Sequence, residues 1–280
     1  MWHEYCSGWL IISTSAMGEC SEVPTIVLFG FPIRNISLSE AVTLILEDLR
    51  SSDSPRRIVF LHAHSINVAQ RDREYRDVLL RATHIFADGI GMRIASFLSG
   101  TPLRDNVNGT DMFPRLCESL QGTGLRVFLL GSERGVAQRV RERIASEYPG
   151  LDICGVHHGY LRGTADDEGV VARIRSARPD LLLVGMGVPR QEKWLARYLE
   201  ATGARVGIAV GGLFDVYSGK VWRPPTWMRR MGLEWFGRLV PGRGEPRRLW
   251  RRYLLGNFKF LWLAVRWAVT ARRCLCAPLE

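Results

Sequence analysis

Short apolar runs alternate with helical patterns along most of this chain, and no other feature constrains its fold as strongly. The runs hold four to eight apolar residues, as in RVFLLGS and RVGIAVGG, and stretches of ten or more residues with helical periodicity separate them. This spacing is typical of βαβ units, whose strands pair in parallel and are buried on both sides. The sequence therefore predicts an α/β fold: a Rossmann-like, mainly parallel sheet with helices on both faces.

The same pattern gives approximate bounds for the elements. IVLFGFPI at 26–33 predicts a strand or the start of a hairpin, and Ser37 with Glu40 forms a capping box for the next helix. A strand over 57–64 and one helix around 66–81 are expected to follow. Further strands are predicted at 84–89, 126–132, 151–161 (with a loop), 180–187 and 205–212, and further helices at 89–98, 111–120, 135–149, 166–177 and 189–201.

Basic charge is concentrated in the last 60 residues. The formal net charge is +10, and residues 221–280 hold 13 of the 38 Lys and Arg residues but three of the 28 Asp and Glu residues. The rest of the chain is therefore neutral. Six of the nine Trp residues also lie in 221–280. We accordingly expect a loose extension over 1–24, an α/β domain over 25–220 and a basic, Trp-rich appendage over 221–280.

The composition of this appendage leaves three interpretations open: an anionic membrane surface, a nucleic acid, or an ordinary solvated helical face. Basic residues near an anionic leaflet contribute about 1 kcal/mol each and Trp prefers the headgroup boundary, so the composition favours a membrane. A nucleic-acid site would also have basic residues on the folded body, which is neutral. The longest apolar run, 253–270, is interrupted by Asn257, Lys259 and Arg266 and suits an interfacial helix better than a spanning one.

Neither the cysteines nor the first residues point to secretion. The six cysteines form no CxxC pair, so no zinc or thioredoxin-like motif is indicated, and reduced thiols of a cytosolic protein are expected. The first 20 residues lack the basic n-region of a secretory signal, and Met17 is an alternative start.

The predicted strand ends give candidate site residues before any motif is considered. Ligands of parallel α/β sheets bind outside the carboxyl ends of the strands. The residues at these positions are His62, His64, Asp88, Gly89, Gly131, Ser132, 185–191 and 211–215.

Two sequence motifs carry candidate carboxylates. Asp88 stands between a predicted strand and a glycine turn in FADGIG, where a carboxylate acts either as a general base for a hydroxyl nucleophile or as a helix cap. In NVNGTDMF, Thr110 or Asp111 is expected to cap a helix. Asn108 and Thr110 have groups that hydrogen-bond a sugar or a uracil-like ring.

The glycine pair in DLLLVGMGVPRQE resembles part of a dinucleotide fingerprint. Gly185 and Gly187 follow a strand, but Arg190 occupies the third glycine position, so a dehydrogenase is poorly supported. Two interpretations remain. Either helix N–H groups and Arg190 form an anion site for a phosphate, or the stretch is a tight turn that binds nothing.

Metal chemistry is not favoured. His62 and His64 alternate on a predicted strand and would point the same way, but no third ligand is evident, so hydrogen-bonded histidines are the preferred interpretation. The chain has no Asp-x-Asp motif, which disfavours a metal-dependent nucleotide-sugar transferase of the common kind. No metal or cofactor is expected, and a leaving diphosphate would need cationic side chains.

Six sequence blocks carry a family resemblance over about residues 25–255. They are FADGIGMRIA, NVNGTDMFPRL, FLLGS, HHGYL, LLLVGMGVPRQEKW and VGIAVGGLFDVYSGKVWRPPTWMRRMGLEWFGRL. In this order and spacing they resemble the WecG/TagA/CpsF family, glycosyltransferase family 26. The resemblance implies an inverting, metal-independent transfer of a sugar from a UDP-sugar to a polyprenyl-diphosphate-linked saccharide in cell-surface or exopolysaccharide biosynthesis. It also implies a peripheral location at the cytoplasmic face of the inner membrane, without nucleic acid, and is compatible with a homo-oligomer.

The resemblance also assigns roles to residues. Asp88 matches the family's catalytic base, Gln191 its pocket glutamine, and 108–111 a substrate-pocket loop. The tail matches an appendage that lies on the membrane and brings arginines over the active site. The expected substrate-binding residues are His62, Asn108, Thr110, Asp111, Gly131, Gly185, Gly187, Gln191, Gly211, Gly212, Arg238, Arg248, Arg251 and Arg252, with Arg247 as a further candidate.

Two positions depart from the family pattern. Residues 60–64 read FLHAH where many members have Thr-x-Asn-x-Glu, and Asn106 replaces a frequent arginine. Both changes touch the sugar pocket, so the donor need not be the N-acetylmannosamine derivative of better-known members, and a UDP-uronic acid or UDP-hexose is compatible with the variants. In another functional class, the alternatives are a non-catalytic nucleotide-binding scaffold at the membrane and an Arg-rich nucleic-acid binder.

Overall fold

The structure is a computed structural model that describes residues 23–51, 54–225, 228 and 246–275. Within these residues, side chains are described for 23–50, 54–225, 228 and 255–270. A hairpin precedes the main sheet. Strands β1 (Thr25–Leu28) and β2 (Phe31–Arg34) pair in antiparallel register. The turn between them uses Phe29 at φ 56° and Gly30 at φ 80°. The hairpin interpretation of 26–33 is thus confirmed.

In the part of the chain that the structure describes, six strands form the main sheet, and all of their pairings are parallel. Their order is β4-β3-β8-β7-β5-β6. The strands are β3 (Arg56–Leu61), β4 (His84–Ala87), β5 (Arg126–Gly131), β6 (Asp152–His157), β7 (Leu181–Gly185) and β8 (Val206–Ala209). The predicted mainly parallel sheet is therefore confirmed, and the last two strands occupy its centre.

Helices connect these strands. They are α1 (Leu38–Ser51), α2 (Ala63–Ala69), α3 (Arg73–Leu80), α4 (Ile90–Leu98), α5 (Gly109–Leu120), α6 (Val136–Glu147), α7 (Thr164–Ala177), α8 (Arg190–Thr202), α9 (Leu213–Tyr217) and α10 (Pro246–Leu275). The predicted capping box of α1 is present, because Ser37 N–H donates to Glu40 Oε2 at 2.6 Å and Glu40 N–H to Ser37 Oγ at 3.2 Å.

Alternate strand side chains enter two cores, one on each face of the sheet. In β5, Val127 and Leu129 face one core, while Phe128 and Leu130 face the other. Helices α1, α5, α6 and α9 cover the first face. Helices α2, α3, α4, α7, α8 and α10 cover the second together with the hairpin. Because both faces are buried, the strands read as nearly continuous apolar runs.

Several predicted bounds were wrong. The strands predicted to end at 187 and 212 end at Gly185 and Ala209, and two further errors are explained by local hydrogen bonds. The strand predicted over 57–64 ends at Leu61, because His62 caps α2 by accepting from Ser65 N–H at 3.1 Å. The single helix predicted around 66–81 is two helices, because Asp72 begins a new one by accepting from Tyr75 N–H at 2.9 Å.

The C-terminal helix α10 packs on α2 and α4 of the body. Its inward stripe is Phe260, Ala264 and Ala268, which are all buried. Phe29 of the hairpin turn contacts the Phe260 ring at 5.5 Å between centroids, and Asn67 of α2 donates to the Gly256 carbonyl at 2.8 Å. Within the described residues, no helix combines the length and apolarity needed to cross a bilayer.

Candidate functional site

The carboxyl ends of five adjacent strands bring the predicted site residues into one row. Following the sheet order, Asp88 comes after β4, His62 after β3, Gly211 after β8, Gly187 after β7 and Ser132 after β5. With about 4.8 Å between neighbouring strands, the row spans roughly 19 Å. That length suits an extended ligand.

Asp88 lies in a turn that is held from both sides. Its N–H donates to the Leu61 carbonyl at 2.8 Å, and the N–H of Gly89 donates to Asn106 Oδ1 at 2.6 Å. Gly89 has φ 90° and is the N-cap of α4, so Asp88 lies one residue outside the cap. The interpretation of Asp88 as a helix cap is therefore not supported. Asn106, noted in the sequence only as a departure from the family, fixes this turn.

The loop at 108–111 is organised by side-chain hydrogen bonds. Asn108, and not Thr110 or Asp111, caps α5: its Oδ1 accepts from Asp111 N–H at 2.8 Å, and its Nδ2 donates to Asp111 Oδ2 at 2.7 Å. Arg223 Nη2 contacts the other oxygen, Asp111 Oδ1, at 2.6 Å. Thr110 is partly buried beside them. This ion pair ties the segment after α9 to the predicted pocket loop, and the sequence alone gave no sign of it.

The histidine pair is part of a helix start and not of a strand. His62 Nδ1 lies 3.0 Å from Ser65 Oγ, and the His62 and His64 rings stack with centroids 6.0 Å apart. The preferred interpretation, a hydrogen-bonded histidine, is confirmed for His62. Among the residues that the structure describes, no group of three His, Cys, Asp or Glu side chains is arranged to hold a metal ion.

Gln191, in the first turn of α8, joins two glycine turns. Its Oε1 accepts from Gly187 N–H at 3.1 Å and from Gly211 N–H at 3.0 Å. Its Nε2 donates to Glu192 Oε1 at 2.9 Å, and the side chain is 3% exposed. Gln191 therefore fastens the end of β7 to the end of β8.

These contacts bear on the two interpretations of the GMGVPRQ stretch. The N–H groups of Gly187 and Gly211 donate to Gln191, and Arg190 Nη2 donates to the Leu161 carbonyl at 2.5 Å. These donors are used within the protein, which favours a tight turn. Phosphate binding by the N–H groups at the start of α8 stays a prediction.

Glu192 is a buried acid directly behind Gln191. It is 1% exposed, and burial raises the pKa of its carboxyl group to about 7. Its Oε2 atom has no hydrogen-bond partner, and the hydroxyl of Tyr75 is likewise buried without one. Burial and the nearby Glu192 charge both raise the pKa of Tyr75. Sequence reasoning missed this pair, which adjoins the site from inside the core.

Glycines let the central strand ends approach each other closely. A Cβ atom on Gly131 would lie 2.5 Å from the Gly185 carbonyl oxygen, and one on Gly185 would lie 2.9 Å from the Gly211 carbonyl oxygen. Backbone therefore meets backbone where β5, β7 and β8 end. Gly212 differs from them, because a Cβ there would meet nothing within 4 Å.

A polar cluster closes the β5 end of the row. Ser132, at φ 56°, donates its hydroxyl to Asp215 Oδ1 at 2.5 Å. Lys220 lies 2.8 Å from Glu133 Oε1 and 3.8 Å from Asp215 Oδ1, and the Glu133 contact is the largest cause of its raised pKa. Strand-end position had suggested Ser132 and Asp215, although no motif did. The cluster offers hydroxyl, carboxylate and ammonium groups at one place.

The arginines of the tail that were predicted to bind the diphosphate lack described side chains. Arg238 lies outside the described residues. For Arg247, Arg248, Arg251 and Arg252 the structure describes the backbone of α10 but not the side chains. Their predicted contact with a diphosphate stays a prediction.

Fold and site together define a class. A parallel sheet wound in both directions, with polar side chains and glycine turns outside its carboxyl ends, is the arrangement of Rossmann-like α/β proteins that bind a ligand along that edge. The chain belongs to the glycosyl transferase WecG/TagA/CpsF family, whose sequence model matches residues 26–274. The family resemblance of the six sequence blocks is thereby confirmed.

Three relatives from Bacillus and Staphylococcus share one name. An N-acetylglucosaminyldiphosphoundecaprenol N-acetyl-beta-D-mannosaminyltransferase of Bacillus subtilis (strain 168) is 40% identical over 172 residues, which cover 61% of this chain and 66% of the relative. The enzyme of that name from Bacillus spizizenii is 36% identical, covering 66% of this chain and 70% of the relative. One from Staphylococcus aureus (strain MRSA252) is 31% identical, covering 65% of this chain and 71% of the relative. The similarity thus spans about two thirds of the relatives' length.

Proposed function

We propose that this protein is a glycosyltransferase that moves a sugar from a UDP-sugar to a polyprenyl-diphosphate-linked saccharide in cell-surface or exopolysaccharide biosynthesis. The observation that carries the proposal is the family match over residues 26–274, which contains every element of the strand-end row. The names of the Bacillus relatives support a lipid diphosphate carrying N-acetylglucosamine as acceptor.

Asp88 is the proposed catalytic base. The acceptor hydroxyl oxygen attacks the anomeric carbon, its proton passes to the Asp88 carboxylate, and the bond between that carbon and the phosphate oxygen breaks to release UDP. A single displacement of this kind inverts the anomeric configuration. The Gly89 and Asn106 contact supports the assignment, because it holds the turn that carries the carboxylate.

The leaving UDP is proposed to be stabilised by side chains and not by a metal. Negative charge develops on the diphosphate as the bond breaks, and cations fixed nearby stabilise it. Arg238, Arg248, Arg251 and Arg252 of the tail are proposed to supply these cations when the tail lies over the site.

We further propose that the protein docks peripherally at the cytoplasmic face of the inner membrane. A polyprenyl acceptor is anchored in a bilayer, so the reacting groups must meet at its surface. The outward face of α10 supports docking, because Phe258, Trp262 and Val265 are 73%, 55% and 48% exposed. Arg266 lies over the Trp262 ring at 4.5 Å, which pairs a cation with an interfacial aromatic.

A transfer assay tests the function. UDP-N-acetylmannosamine, UDP-glucose and UDP-glucuronic acid are each supplied with N-acetylglucosaminyl-diphosphoundecaprenol, and the lipid-linked disaccharide is detected by mass spectrometry, with the Bacillus subtilis relative as positive control. We expect one donor to give product with inverted configuration, at an unchanged rate in EDTA. Loss of the reaction in EDTA would reject metal independence. Thermal stabilisation by UDP without any product would instead favour the scaffold alternative.

A further inference from the structure

Helix α4 presents an apolar stripe to the outside of the α/β body. Ile90, Ile94 and Phe97 are 37%, 42% and 74% exposed and follow the i, i+4, i+7 spacing of one helical face. The opposite face, with Met92 and Ala95, is buried. Helix α4 therefore has large apolar side chains on its exposed face as well as on its buried face. Contact of such an exposed apolar stripe with water is unfavourable, so the stripe indicates an interaction site.

Helix α4, which carries this exposed stripe, packs against α10. A Cβ atom on Gly91 of α4 would lie 3.1 Å from the Phe260 ring. While Phe260 enters the core, the opposite side of α10 is also apolar. Its exposed large side chains are Leu255, Phe258, Leu261, Trp262, Val265 and Val269. Body and tail thus contribute apolar groups on both sides of one helix–helix seam.

The charges beside this seam are positive. Arg93 is the charged residue of α4, and Lys259 and Arg266 lie on the described part of α10. Neither helix sequence contains an acidic residue. The pKa of Lys259 is lowered, first by burial and then by the nearby Arg71, so a further cation stands close by. Two copies of this face would oppose like charges, whereas anionic phospholipids match both the charge and the apolar side chains.

We propose that α4 enters the membrane interface together with α10, so that the docking surface belongs to the body as well as the tail. This inference rests on the proposed peripheral docking. Gly89, next to Asp88, begins α4, and eight residues of helix place Phe97 about 12 Å further along the axis. Docking through α4 holds the Asp88 end of the site against the leaflet that carries the acceptor.

The test measures partition onto vesicles of phosphatidylglycerol and phosphatidylcholine by co-sedimentation. We expect Phe97→Ser to weaken partition about tenfold and Ile94→Ser about fivefold, because each removes an inserted apolar side chain. Leu80→Ser on α3 is the matched control, since Leu80 and Ile94 are both 42% exposed. It should bind like the unsubstituted protein. Phe258→Ser reports separately on α10.

Each outcome has a distinct meaning. If Phe258→Ser lowers partition but Phe97→Ser and Ile94→Ser do not, the tail docks alone and the inference about α4 is wrong. If none of the variants lowers partition, neither helix inserts and the inference is wrong, and an unsubstituted protein that does not bind the vesicles rejects docking itself. If Phe97→Ser converts a dimer to a monomer in sedimentation velocity and leaves partition unchanged, the face binds a second copy and the proposal fails. Sugar transfer to a water-soluble acceptor, measured alongside, reports on the proposed function independently.

Discussion

Two parts of the strand-end row are built differently. Where β7 and β8 end, inside the row, Gln191 and Glu192 are buried, and the side-chain carbonyl oxygen of Gln191 accepts from two backbone N–H groups. At the β4 end, Asp88 is partly exposed and lies in a hydrogen-bonded turn directly before α4. The first part is a scaffold that shapes the row, and the second is where a carboxylate is proposed to meet a substrate. Polar residues at a strand end therefore need not have the same role.

The largest effect is expected on turnover, when Asp88 is replaced. Asp88→Asn removes the proposed base and should lower turnover by about 10²–10⁴-fold. Thermal stabilisation by UDP should persist, because the substitution keeps the shape of the side chain. Initial rates of UDP release give the first quantity and thermal unfolding with UDP the second. Unchanged turnover would remove the assignment of Asp88.

The next largest effect is expected on the free energy of unfolding, and it depends on pH through the buried Glu192. The pKa of Glu192 is about 7 in the folded protein and about 4.5 when unfolded, so the folded state binds the proton more tightly. The protonated carboxyl group therefore stabilises the folded protein fully below about pH 4.5. As the pH rises through 7 this stabilisation is lost, and the free energy of unfolding falls by roughly 3 kcal/mol. Glu192→Gln should abolish that part of the pH dependence in urea unfolding. Parallel curves for both proteins would contradict the assignment.

A smaller loss of stability is expected when the side chain that links the Gly187 and Gly211 turns is removed. Gln191→Ala leaves the Gly187 and Gly211 N–H groups without their acceptor, and we expect a loss of about 2 kcal/mol in the free energy of unfolding. Turnover should fall as well, because both turns shape the row. The matched variant Gln138→Ala changes an exposed helical glutamine and should unfold like the unsubstituted protein. Equal stabilities of the two variants would refute the scaffold role.

The smallest effect is expected at Asn106. Asn106→Ala removes the acceptor of the Gly89 N–H, and a loosened turn should lower turnover about tenfold without a comparable loss of UDP binding. Asn106→Asp keeps an acceptor oxygen and should restore most of the rate. An Asn106→Ala protein with full turnover would show that this turn needs no side-chain support.

Sequence periodicity predicted the fold well, because buried parallel strands and amphipathic helices leave direct marks in the chain. It failed at 57–64 and 66–81, where His62 and Asp72 end or begin elements by capping, without any Gly or Pro as a signal. Strand-end position also found Asp88 and Gln191. The contacts that give them different roles were not predictable, since they join separate loops, such as Gly89 with Asn106 and Gln191 with Gly211.

The most direct test of the division between the Asp88 turn and the Gln191 scaffold compares Asp88→Asn and Gln191→Ala in turnover and in free energy of unfolding. We predict that Asp88→Asn loses at least about 100-fold in turnover with stability within about 1 kcal/mol of the unsubstituted protein, whereas Gln191→Ala loses both. An Asp88→Asn protein that transfers sugar at the full rate, or a Gln191→Ala protein of unchanged stability, would contradict it.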